Sequence, residues 1–184
     1  KPHITVTLPN GSAVAGIAFE TTPLAIAAGI SKGLANDTCV SLVRYSSRHQ
    51  GIESAAAAAI DSIDDAAAAA AVAASSDAEW LQWDVSRPPE GDCALQLAKW
   101  DSPAGTEAFW HSSAHVLGAT LERLYSAQLT HGPPLDEGFF YDSYLGGHSV
   151  KPDSSAEIEK AFKKMCDEKQ PFERVVVSKA DCEA

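Results

Sequence analysis

The tract over residues 51–77 cannot anchor a hydrophobic core, so the fold has to be assembled from the segments on either side of it. Its alanine blocks, 55–59 and 66–71, are separated by Asp61, Asp64 and Asp65. Alanine favours helix, yet it buries too little area to hold a helix against a neighbour. The tract therefore predicts a mobile, partly helical loop. A structureless loop of this length normally argues against strands on both of its flanks. The abrupt change of composition points instead to an insertion between strands that pair without it.

The flanks carry the patterns of a small domain. His3 to Leu8 alternate as a half-buried strand does, Pro9-Asn10-Gly11 is a turn, and Val14 to Phe19 alternate again, which predicts a hairpin. Thr21-Thr22-Pro23 supplies a cap and a first-turn proline for a helix near 22–35 through Leu24, Ile26, Ala27, Ile30 and Leu34, ended by Asn36-Asp37. Val40 to Tyr45, Leu81 to Val85 and Ala94 to Trp100 read as further strands. Residues 1–100, with an insertion at about 51–79, thus predict an α+β domain of four or five strands packed on one helix. On pattern alone, a β-grasp sheet and other small α+β sheets stay open.

A second helix is predicted from Ser102 as N-cap and Pro103 at the first helical position, with Glu107 adding a carboxylate near its start. Trp110, Ala114, Leu117, Leu121 and Leu124 recur at spacings of three and four and form an apolar stripe. Beside it, Glu107, His111, His115, Gly118 and Glu122 form a second row. His111 and His115 lie one turn apart in His111-Ser112-Ser113-Ala114-His115. Such a pair can bind a metal or handle protons, or it can be two histidines hydrogen-bonded beside a core. Downstream, Gly132-Pro133-Pro134-Leu135-Asp136-Glu137-Gly138 is a turn-rich run that enters the aromatic segment Phe139-Phe140-Tyr141-Asp142.

These last two blocks resemble the editing domain of threonine–tRNA ligases, which carries an HSxAH helix followed by a GPxxxxGFYYD segment. Only Phe140 departs, standing where that family usually has Tyr. Ile4-Thr5-Val6-Thr7-Leu8-Pro9-Asn10-Gly11 and Arg87-Pro88-Pro89-Glu90-Gly91-Asp92-Cys93 look like the two ends of the TGS module that precedes that domain, and the blocks keep the family's order. Alanine–tRNA ligases share a related HxxxH helix but do not pair it with a TGS module. The resemblance implies a ubiquitin-like β-grasp domain over 1–100 and an incomplete α/β editing domain of the HxxxH type over 101–184. It implies a role in protein biosynthesis, in tRNA(Thr) aminoacylation fidelity, by hydrolysis of Ser-tRNA(Thr). His111, His115 and Tyr141 are the candidate catalytic residues that match its motifs.

Zn²⁺ at His111 and His115 would be an incomplete site, since tetrahedral zinc normally takes three or four protein ligands. Asp142, Glu122 and His131 are candidate stand-ins. The Cys-x-x-x-His element that faces the two histidines in the family has no counterpart, because neither Cys166 nor Cys182 is followed four residues later by histidine. Aminoacylation in the family belongs to a separate class II core with ATP, threonine and zinc sites, whose motifs do not occur here. The chain is therefore not expected to charge tRNA. The expected partner is tRNA(Thr), through a parent enzyme whose homodimer would form through C-terminal domains. A noncatalytic TGS-based RNA- or protein-binding regulatory module and a free-standing trans-editing protein are the alternatives.

Between Tyr144-Leu145-Gly146-Gly147-His148 and the end, a helix is predicted from Ser154 or Ser155 to Lys169, buried through Ile158, Ala161, Phe162, Met165 and Cys166, with Lys160, Lys163 and Lys164 towards solvent. Phe172, Val175 and Val177 then alternate as a strand, and Ser178-Lys179-Ala180-Asp181 starts another helix. The net charge of −11 opposes direct tRNA binding, because Lys and Arg supply most nucleic-acid affinity. Its distribution softens the objection: Lys1, Lys32, Arg44 and Arg48 face only Glu20 and Asp37 within residues 1–50, and the acid is concentrated in 51–103. No apolar run reaches the roughly 18 to 20 residues that cross a bilayer, and Cys39, Cys93, Cys166 and Cys182 lack CxxC spacing. A cytoplasmic protein is the expectation. An organellar form stays open, since Lys1 rather than Met opens the chain.

Overall fold

A computed structural model describes residues 1–49, 80–147, 149–173, 175 and 177. The expected insertion at 51–79, His148 and the helix expected at 178–181 lie outside the described residues. The chain divides into two compact units, Lys1–Ser102, with which Val175 and Val177 are grouped, and Pro103–Arg174.

In the first unit, β1 (His3–Thr7) and β2 (Ala13–Ile17) form the expected antiparallel hairpin, Val6 opposite Val14. Its turn is held by the Asn10 side chain, which accepts from the Ser12 amide at 3.0 Å, and Gly11 takes the left-handed φ of +81° that glycine permits. β2 stops two residues short of the expected end. The Ile17 amide donates to the Thr21 hydroxyl at 2.9 Å, and Phe19 turns the chain at φ +62°.

The helix expected over 22–35 is two helices, α1 (Pro23–Ile30) and α2 (Lys32–Asp37). Thr22 caps α1 as expected. Ser31 both ends α1 and caps α2, accepting from the Leu34 amide at 3.0 Å. A serine in extended conformation at that point is a stop and a start at once.

Three more strands complete the sheet: β3 (Thr38–Tyr45), β4 (Leu81–Trp83) and β5 (Cys93–Lys99). The order is β2-β1-β5-β3-β4, antiparallel throughout except where β5 runs parallel to β1. β4 ends at Trp83 instead of Val85, because the Asp84 carboxylate accepts from the Ser86 amide at 2.7 Å and turns the chain. Ile4, Val6, Val43, Tyr45, Trp83, Cys93 and Leu95 face Ile26 of α1 and form the core. Burial pushes the Cys93 thiol up to about 11, so it behaves as a packed apolar group.

The loop before β5 fastens this sheet. Glu90 is buried and its carboxylate accepts from Arg48 through Nε at 3.2 Å and from Arg87 through Nη2 at 2.9 Å. Asp92 accepts from the Thr5 amide at 2.7 Å and from the Ser47 hydroxyl at 3.1 Å. Gly91 passes so close to the 46–48 backbone that a Cβ there would stand 2.0 Å from the Ser47 carbonyl oxygen. Glu90, Gly91 and Asp92 thus hold the start of β5 against β1 and the end of β3.

The second unit is built on α3 (Pro103–Tyr125), which starts at the expected proline. β6 (Gln128–His131) pairs antiparallel with β9 (Asp142–Tyr144), and β7 (Pro134–Leu135) pairs with β8 (Gly138–Phe139) through a turn at Asp136-Glu137, after which Gly138 has φ +105°. A short 3₁₀ turn, Pro152–Ser154, leads into α4 (Ser155–Asp167). Phe139 lies between Trp110 of α3 and Phe162 of α4, at ring separations of 5.7 and 6.4 Å. The Thr120 hydroxyl bonds the Val116 carbonyl at 2.7 Å and lies 3.2 Å from Met165 Sδ, locking α3 to α4.

Two expectations fail here. The face of α4 is only half-covered, with Cys166 exposed, so it is not the buried face its pattern suggests. The strand expected around 172–177 is absent among its described residues, and Phe172, Val175 and Val177 are exposed. Alternation marks which side chains could be buried, but a strand also needs a neighbour to satisfy its backbone.

Candidate functional site at the His111–His115 pair

Position in α3 decides the geometry of the two histidines. Residues four apart in a helix stand one above the other on one face, and the His111 and His115 rings stack with centroids 4.9 Å apart and planes 28° from parallel. Both are exposed, and the apolar line beside them, Ala114 and Leu121, is buried. Tyr141 meets His115 from the segment between β8 and β9, its ring edge-on at 6.1 Å and 63°. All three sequence-selected residues are therefore neighbours. Phe140 takes a separate course and stands edge-on to His131, 6.4 Å away.

Two features at this site escaped sequence reasoning. Gly118, buried one turn after His115, and Gly132, at the end of β6, both lie against the Tyr141 ring. The signal for the first was visible in principle, since a glycine in the middle of a long helix is unfavourable. A cavity of about 640 Å³ adjoins His115 and is walled by Val116, Ala119, Met165, Cys166 and Phe172. His111 and Tyr141 are not among its walls.

Partial burial, and secondarily the nearby His111, hold the His115 pKa below its ordinary value of 6.5. His115 is therefore neutral at pH 7 and able to accept a proton. Because the folded state binds its proton less readily than the unfolded chain does, His115 costs no stability above pH 6.5 and draws stability away as pH falls through and below that value. Histidine NMR titration of this chain should show a His115 midpoint below 6.5, moving upward in His111→Ala as the neighbouring charge is removed. A midpoint unmoved by that substitution would mean the rings do not sense each other.

The metal reading finds only two donors. Among the described residues no three His, Cys, Asp or Glu side chains are grouped so as to hold an ion. Asp142, Glu122 and His131 do not complete the pair. Asp142 and His131 pair across β6 and β9, a ladder fastened by its backbone and by Thr130, whose hydroxyl bonds the Asp142 carbonyl at 2.8 Å. These residues alone do not fit tetrahedral zinc.

No protein-family model matches the chain. It is 42% identical over 174 residues to the probable cytoplasmic threonine–tRNA ligase 1 of Dictyostelium discoideum, a match covering 95% of this chain and 20% of that protein. It is 40% identical over 182 residues to the mitochondrial threonine–tRNA ligase 1 of Arabidopsis thaliana, covering 97% of this chain and 21% of that protein. Against the cytoplasmic threonine–tRNA ligase 1 of Homo sapiens it is 36% identical over 179 residues, covering 97% and 20%. The matches take in 95–97% of the chain, and the chain belongs to the threonine–tRNA ligase family, spanning about a fifth of the length of the relatives it matches.

Proposed function

We propose that this chain is the part of a threonine–tRNA ligase that joins a TGS β-grasp module to the first part of an editing domain, and that its histidine pair serves hydrolysis of Ser-tRNA(Thr). The observation that carries the reading is the stacked His111–His115 pair with Tyr141 set edge-on to it. The β2-β1-β5-β3-β4 order supports the β-grasp half.

Serine differs from threonine by one methyl, a difference that binding alone rejects poorly, which is why hydrolytic correction is needed. Water attacks the ester carbonyl, a base takes its proton, and the ribose oxygen leaves when the tetrahedral oxyanion collapses. In this reading the neutral His115 imidazole accepts that proton, His111 orients the water, and Tyr141 contacts the terminal adenosine or the amino acid. tRNA(Thr) is the partner. Net charge −11 means that other parts of the ligase hold most of its phosphates. Relatives named for both cytoplasm and mitochondrion leave either compartment in play.

The test compares this chain with one extended by the residues that follow in the longer ligases. The chain alone should deacylate Ser-tRNA(Thr) little faster than buffer and bind Zn²⁺ weakly, and the extended chain should deacylate readily. Equal rates would mean that the pocket is complete within these residues and that its members have been misassigned.

A further inference from the structure

Tyr141 owes its place to two absent side chains. A Cβ on Gly118 would stand 2.8 Å from Tyr141 Cε2 and 3.0 Å from Leu129 Cδ1. A Cβ on Gly132 would stand 2.3 Å from Tyr141 Cδ2 and 2.4 Å from Cε2. The same ring edge is therefore in contact with both backbones, that of α3 and that of the chain leaving β6. Neither glycine is there for backbone freedom. Gly118 is helical, where glycine is the poorest choice after proline, and Gly132 is not among the residues of positive φ.

We propose that Gly118 and Gly132 are positioning residues that form a slot for Tyr141 and so set its ring against His115; this rests on the editing role given to those two side chains above. The ring enters edge-first between the two glycines and cannot slide towards α3 or β6. Its remaining freedom is along the slot, whose open end presents it to His115. Any side chain at either glycine closes the slot and pushes the ring off the histidine, at the far end of a segment that could otherwise keep its fold.

The experiment has two arms. In the first, the His115 imidazole proton signals of this chain are recorded for the unsubstituted protein, Gly118→Ala, Gly132→Ala, Tyr141→Leu and the double variant Gly118→Ala/Tyr141→Leu. Both alanine variants should move the His115 signal in the same sense as Tyr141→Leu does. The double variant should match Tyr141→Leu alone, because no ring is left to displace. It also serves if Gly118→Ala folds poorly, since the contact with the ring is removed and only the 3.0 Å approach to Leu129 Cδ1, the end of a flexible side chain, remains. Signals unmoved by both alanines, or a large further shift in the double variant, would overturn the slot.

The second arm reads deacylation and threonine charging in the longer ligase. Gly118→Ala and Tyr141→Leu should each lower the deacylation kcat by about tenfold to a hundredfold, the scale of an ångström-level misplacement, with the double variant no slower than Tyr141→Leu and charging unchanged. Full deacylation by His111→Ala would remove the editing reading and leave the slot to be judged by the first arm. Loss of deacylation in His111→Ala, together with full rates and unmoved signals in both glycine variants, would remove the slot and leave the reading intact.

Discussion

Replacing His111 with alanine in the threonine–tRNA ligase that carries this segment should lower deacylation of Ser-tRNA(Thr) by about 10²- to 10⁴-fold, the usual worth of a positioned proton-transfer or water-orienting group. Threonine charging should be unchanged, since in the proposed reading charging belongs to other parts of the ligase. The size of the loss follows from the arrangement. The two rings are stacked 4.9 Å apart, so a water held by one is within reach of the other, and removing either member leaves the reaction without an oriented water. Members of such a set are strongly non-additive. His111→Ala/His115→Ala should therefore be little slower than either single variant. Single-turnover deacylation measures this, and charging of tRNA(Thr) by the same preparation supplies the control. A loss of less than about threefold in His111→Ala would return the pair to the status of surface histidines, since general acid–base groups contribute far more than that.

The features legible in the sequence were those whose cause is local. Pro9-Asn10-Gly11 makes its turn through a side chain two residues from the amide it accepts. The stacking of His111 on His115 is helix geometry applied to a spacing of four. Alternation found the two strands of the β1–β2 hairpin. Element ends were misjudged wherever a short polar side chain competed for the backbone: Thr21 ends β2, Asp84 ends β4, and Ser31 splits one expected helix into two. Burial and pairing that depend on distant segments were not legible. The pattern of Phe172, Val175 and Val177 resembles that of a strand, yet no alternation specifies a partner for it. Gly118 and Gly132 share Tyr141 across a fold that sequence spacing does not encode.

Glu90→Ala should cost about 3 kcal/mol of stability, at the low end of what breaking a buried ion cluster removes, because the two arginines it deserts are partly able to turn to water. For a domain of this size that lowers the melting temperature by roughly 12–24 °C. The Glu90 side chain is 9% exposed, and those of Arg48 and Arg87 are 29% and 24% exposed, so the carboxylate is the member that has given up its solvent. It is matched on every side. Arg48 and Arg87 bond its two oxygens, and its own amide donates to the Tyr45 hydroxyl at 3.1 Å. The Arg87 guanidinium lies 3.6 Å over the Trp83 ring, and Trp83 Nε1 donates to the Arg87 carbonyl at 2.9 Å. Without the carboxylate, Arg48 and Arg87 each lose the charged bond that ties them to this loop. Thermal unfolding followed by near-ultraviolet circular dichroism measures the effect, and a shift under about 2 °C would show that the cluster contributes nothing net. The position matters more than its area suggests: Arg48 precedes the tract at 51–79 and Trp83 and Arg87 follow it. The cluster joins the residues on either side of that tract, and the entropy of bringing together segments so distant in sequence must be offset by contacts made on both sides at once.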